Sequence, residues 1–113
     1  MDYQITSDNI TVSDSMKELA QSKFSKLDGR LKEIPDGSKS IRIVMNSAPD
    51  ETFEIKAEAI INGKQYFAHE TDFSMESAMV LVVEELHKQL EKAEKMYEQK
   101  WEENREAKRF PVE

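Results

Sequence analysis

Cysteine is absent from the 113 residues, and glycine and proline number only three each. Without cysteine there is neither a disulfide framework nor a thiolate metal site. Long hydrophobic runs are missing too. The longest is Ala78-Met79-Val80-Leu81-Val82-Val83, far short of the ~20 apolar residues that cross a bilayer. The opening Met1-Asp2-Tyr3-Gln4 has none of the basic and apolar character of a secretory leader, so the expectation is a cytoplasmic protein with no membrane partner. Histidine is scarce, with His69 and His87 alone, and positive charge is in deficit: 16 Lys and Arg face 23 Asp and Glu, for a net charge of −7. Taken as a total, that charge argues against nucleic acid, whose affinity comes mostly from neutralised phosphates. The sequence offers no paired carboxylates in an apolar setting, no glycine-rich phosphate loop and no Ser-His-Asp set, so neither an enzyme nor a cofactor is expected. Glu84-x-x-His87 has the spacing of one half of a di-iron helix motif. There is no second copy, and the helical angle puts both residues on the wet side, so no metal is expected.

What the chain does have is one long amphipathic stretch. Met75, Ala78, Met79, Val82, Val83, Leu86, Leu90, Ala93, Tyr97 and Trp101 recur in steps of three and four, one stripe on a 3.6-residue helix running from Ser74 to about Lys108. Ser74 reads as its N-cap, with Phe73 before it as a staple against Ala78. Glu76 at one end and Lys108 and Arg109 at the other match the helix dipole. Such a helix spans roughly 50 Å, more than a small sheet covers. Its second half therefore projects, frays or finds another surface. Tyr97, Trp101 and Phe110 carry the apolar stripe beyond the domain. They read either as scattered aromatics of a frayed tail or as a seam for self-association.

Ahead of that helix the pattern is short and regular. Asp2 to Thr6 reads as a strand with Tyr3 and Ile5 on one side. Ser13 reads as the N-cap of a first helix, with Ser15 and Glu18 as a rival capping box. Met16, Leu19, Ala20, Phe24, Leu27 and Leu31 form its stripe, and Gly29 falls where it should end or fray. After the turn cluster Pro35-Asp36-Gly37-Ser38 come three strands: Ser40 to Asn46, Thr52 to Ile61 and Lys64 to Glu70. The middle one sets Phe53, Ile55, Ala57, Ala59 and Ile61 against Glu54, Lys56, Glu58 and Ile60, the period-two pattern of an antiparallel strand with one wet face. Asn62-Gly63 is a two-residue hairpin signal. The fold class is therefore α+β, a β-α-β-β-β-α two-layer sandwich with a four-stranded sheet and two helices on one face. Residues 1–95 make the domain, and 96–113 a helical extension and tail.

Particular residues in this order resemble the ribosome hibernation-promoting factor family, also called ribosome-associated inhibitors or sigma-factor modulation proteins. They are Lys23-Phe24-Ser25-Lys26-Leu27 in the first helix, Ile61-Asn62-Gly63 at the end of the third strand, and Leu86-His87-Lys88-Gln89-Leu90 in the second helix. The resemblance covers about residues 1–95 and implies a short-type member. In that family both helices line a basic groove that lies on small-subunit ribosomal RNA, where messenger and transfer RNA would sit, and translation stops in stationary phase. Here Glu85 stands where the family usually has a lysine, and the helix start Ser74-Met75-Glu76-Ser77-Ala78 lacks the family's tyrosine.

The charges are segregated despite their sum. From Ser15 to Lys32 the bases Lys17, Lys23, Lys26, Arg30 and Lys32 outnumber Glu18 and Asp28, whereas 11 acids and 7 bases lie from Asp72 onward. Lys26 and Arg30 fall on one flank of the first helix, with Lys23 at the edge of its stripe. On the second helix Lys88, Lys92 and Lys95 fall on one side and Glu91, Glu94, Glu98 and Glu102 toward the other, with Glu85 on the flank of Lys92. If the two lysine flanks face each other they make a basic track, and Lys23, Lys26, Arg30, Lys88, Lys92 and Lys95 are the candidate contacts to ribosomal RNA. The same residues, with i,i+4 pairs at Glu84–Lys88 and Glu91–Lys95, also read as an ordinary solvated face. A protein-interaction module on the same scaffold, without RNA affinity, is the alternative.

Overall fold

The structure is a computed structural model that describes residues 1–109, with side-chain environments through Lys95. The order is β1 (Asp2–Thr6), α1 (Asp14–Arg30), a short 3₁₀ turn (Asp36–Ser38), β2 (Lys39–Ala48), β3 (Thr52–Ile61), β4 (Lys64–Asp72) and α2 (Met75–Arg109). The four strands lie in the order β1-β2-β3-β4. β1 runs parallel to β2, since α1 carries the chain back across the sheet between them, and the two later pairings are antiparallel. Asn62 and Gly63 close the β3–β4 hairpin with φ of 51° and 79°, the doubly left-handed turn that matches strand twist.

Both helices pack on one face of the sheet. Alternation along the strands sends Ile41, Ile43, Met45, Ile55, Ala57, Ala59, Ile61 and Ala68 inward, where they meet Ala20, Phe24, Leu27 and Leu31 from the first helical segment and Ala78, Met79, Val82, Val83, Leu86 and Leu90 from α2. The inner alanines on β3 and β4 let α2 come close. Burying each large aliphatic or aromatic side chain contributes roughly 1.5–3 kcal/mol before the entropy of ordering it is subtracted. The other sheet face stays open, with Ile60 and Phe67 exposed on it. No helix among the described residues is long and apolar enough to cross a membrane.

The helix starts follow local chemistry. Ser13 caps α1: its Oγ accepts from the Met16 N–H at 3.2 Å, and the Met16 sulfur accepts from the Ser13 N–H. Met16 thus does the work expected of a capping-box glutamate, and Ser15 and Glu18 lie inside the helix. Ser74 Oγ accepts from the Ser77 N–H at 3.3 Å, as an N-cap does. The expected staple is absent, because Phe73 is 75% exposed. The chain turns out of the sheet edge at Asp72, which accepts from the Ser74 N–H, and this turn carries the ring away from the helix.

Two polar residues fix where α1 sits. Asn46 is buried on β2; its Oδ1 accepts from the Asp8 N–H at 2.8 Å and the Ser7 hydroxyl at 3.2 Å, tying down the loop that leads into α1. Lys39, also buried, donates from Nζ to the Leu31 carbonyl at 2.9 Å and pairs with Asp28 at 2.8 Å. That contact locks the C-terminal end of α1 to the start of β2, and the neighbouring ammonium holds the Asp28 carboxyl below the usual carboxylate range. α1 ends one residue past Gly29, at Arg30, with Leu31 as its C-cap. Among the described residues Leu90 is the last buried one of α2, although the helix continues to Arg109. The side chains of Tyr97 and Trp101, and Phe110 altogether, lie outside the described residues, and with them the expected seam.

Candidate nucleic-acid interface

The flank that α1 turns toward α2 carries Lys23, Lys26 and Arg30. Core contacts of Ala20, Phe24 and Leu27 set the helix's roll, and at about 100° per residue these three cations then fall on one side. They share the flank that the sequence predicts, with Lys26 exposed and the heads of Lys23 and Arg30 turned to carboxylates of α2.

The opposite wall differs from expectation. α2 meets α1 through the flank that bears Glu76, Glu84, His87 and Glu94, not through its lysines. Lys23 Nζ lies 2.8 Å from Glu76 Oε1, and Arg30 Nη2 donates to Glu94 Oε2 at 3.1 Å. The Glu76 carboxyl is held below its ordinary range by its hydrogen bond to Lys23 and by that ammonium's charge. Lys88, Lys92 and Lys95 are exposed. Lys88 and Lys95 lie about 100° round the helix from His87, and Lys92 further still. Lys95 pairs with Glu91 at 3.3 Å, whereas Glu84 and Lys88 are not paired. Gln89 reaches the other way, donating to the Phe67 carbonyl of β4 at 2.6 Å and to Glu85. The six candidates therefore form two groups, three lining the groove and three on the outer face of α2, instead of one track. Among the described residues Lys26, Lys88 and Lys92 have no acid within 4 Å, while Lys23, Arg30 and Lys95 each have one.

His87 also departs from expectation. It is half-buried rather than wet, because α1 packs over its flank of α2. With Lys23, Lys26, Val80, Val83 and Glu84 it lines a cleft of about 90 Å³ between the helices. Burial, and after it the charges of Arg30 and Lys26, push its imidazole below the usual histidine pKa. The sequence held one signal for this: His87 is one position on from Leu86 and four on from Val83, at the margin of the apolar stripe.

With this geometry in place, one comparison with known proteins identifies a family. Residues 3–97 match the family model described as "Sigma 54 modulation protein / S30EA ribosomal protein". No curated protein matches the chain. Among solved structures, the crystal structure of the Thermus thermophilus Protein Y N-terminal domain superposes with a TM-score of 0.69 at 18% identity, covering 81% of this chain and 98% of that one. A ribosomal subunit interface protein from Coxiella burnetii gives 0.65 at 21% identity, covering 83% and 98%. At those identities the likeness speaks for the fold.

Proposed function

The chain belongs to the sigma 54 modulation protein / S30EA ribosomal protein family, and from that premise we propose that it binds the small ribosomal subunit and arrests translation, as a binding protein rather than a catalyst. The observation that carries the reading is the cationic flank of α1, with Lys26 free of any acid among the described residues and Lys23 and Arg30 a turn to either side. Lys88, Lys92 and Lys95 add a second cationic group, exposed on the outer face of α2. All six serve as backbone contacts. Cations on helices position a protein on phosphates and specify no sequence, and structured RNA is recognised largely by shape.

The glutamates in the groove weaken this contact without blocking it. Glu76 and Glu94 are more than half exposed, and pairs of that kind are worth about 0–1 kcal/mol. Exchanging each carboxylate for an RNA phosphate therefore costs little, and the pairs hold Lys23 and Arg30 extended until the exchange occurs. The test is addition of the purified chain to a cell-free translation reaction, with sedimentation of small subunits alongside. Inhibition in step with subunit occupancy is expected. Full translation with no chain in the subunit fraction rejects the reading.

The same two ion pairs favour a second reading, in which the groove is neutralised for good and the helical face binds protein instead. A pull-down that survives nuclease and high salt is its signature.

A further inference from the structure

The interhelix cleft contains a titratable group that a set of phosphate-binding lysines does not need. His87 shares the cleft with Lys23 and Lys26 across from it on α1 and with Glu84 one turn earlier on its own helix, over a floor of Val80 and Val83. Arg30, on the same flank of α1, is near enough to act on the ring's charge. Glu91, one turn later, is engaged by Lys95. The residues lining the cleft come from the two helices alone, so no charged group of the sheet enters the balance.

Resting on the ribosomal reading above, we propose that His87 is itself a phosphate contact, and that it takes up a proton when an RNA phosphate enters the cleft beside Lys23 and Lys26. In the free protein the ring is neutral at neutral pH: burial disfavours its charged form and Arg30 and Lys26 repel the proton. A phosphate reverses the sign of the local potential. It screens the two cations from the ring and accepts a hydrogen bond that is stronger from an imidazolium than from a neutral imidazole. Proton affinity then rises on binding, and by linkage binding strengthens as the proton becomes available. The sign follows: the free ring has the lower pKa and the bound ring the higher, so affinity increases as pH falls from about 7.5 to about 6, the range in which histidine is the side chain that titrates. One proton limits the gain to about tenfold per pH unit.

Two measurements on the full chain test this. In the first, the two imidazoles are titrated by NMR, with and without short-chain polyphosphate as the probe. The His87 midpoint is expected to rise by about one unit. An unmoved His87 midpoint overturns the proposal. In the second, the Kd for isolated small subunits is measured between about pH 6 and about pH 7.5 for the wild type, His87→Gln and His69→Gln. Severalfold tightening at low pH is expected for the wild type and for His69→Gln, and a flat profile for His87→Gln. A His87→Gln profile as steep as the wild type's overturns the proposal while leaving the ribosomal reading intact. If no variant binds subunits at any pH, the ribosomal reading falls and the polyphosphate titration alone decides the role of His87.

Discussion

Replacing Lys26 and Lys88 together by glutamate is expected to abolish binding to small ribosomal subunits while leaving the domain folded. Both residues are exposed, and neither has an acid within 4 Å among the described residues. No ion pair therefore needs to break before they meet a phosphate, and no carboxylate is stranded when they are removed. One stands on the α1 side of the groove and the other on the outer face of α2, so the pair of reversals affects both cationic groups. Each removes a phosphate contact and puts a repelling charge in its place. An affinity loss of at least about a hundredfold near 0.1 M salt follows, and the salt dependence of the remaining binding should be shallower by about two units of slope. Exposed substitutions of this kind stay within about 0.5 kcal/mol in stability, so circular dichroism and the urea midpoint should match the wild type. Retained binding with an intact fold would move the contact surface off these helices.

Phe24→Ala is expected to have the largest effect on the fold itself. Phe24 is fully buried in the cluster shared by α1, α2 and the sheet, and truncating a buried phenylalanine costs about 3–5 kcal/mol. Domains of this size are stable by about 5–15 kcal/mol, so urea unfolding should show a large fall in midpoint, and the most marginal outcome is a chain that does not fold at all. Phe73→Ala is the matched control. That ring is 75% exposed, and its loss should change stability by less than about 0.5 kcal/mol. Equal effects of the two substitutions would contradict the placement of the core.

The contrast between those phenylalanines marks what a reader of the sequence gets and misses. Phe24 belongs to a stripe of six residues at helical spacing, and its burial follows from period alone. Phe73 is a single residue before a cap, and whether it staples depends on how the chain leaves β4, which spacing does not encode. The strands, the Asn62-Gly63 hairpin and the Ser13 cap were legible because each is decided within a few residues. The parallel pairing of β1 with β2 was not read from their residues; it follows from the crossover of α1.

The interface was half legible for a related reason. That Lys23, Lys26 and Arg30 share a flank is a property of one helix and can be counted off its residues. Which flank of α2 faces them is a property of two helices on a twisted sheet. The apolar stripe of α2 is bordered by Glu76, His87 and Glu94 on one side and by Gln89, Glu85 and Lys92 on the other, so either border satisfies hydrophobic burial. Packing chose the first, and the pairs Lys23–Glu76 and Arg30–Glu94 join residues more than fifty positions apart in the chain. Lys39 was hidden in the same way. It falls outside every element drawn from the sequence and is a buried cation holding the end of α1.

The claim on which the account depends is that this acidic protein meets RNA phosphates through two groups of cations on its helices. The dissociation constant for isolated small subunits, measured from low to moderate salt at constant pH, tests it most directly. If Lys26, Lys88 and Lys92 reach phosphates and Lys23 and Arg30 exchange their glutamates for others, the logarithm of the binding constant falls with the logarithm of salt at a slope steeper than about −2, approaching about −5 with all six engaged. Binding that is indifferent to salt, or no binding at the lowest salt, would contradict it.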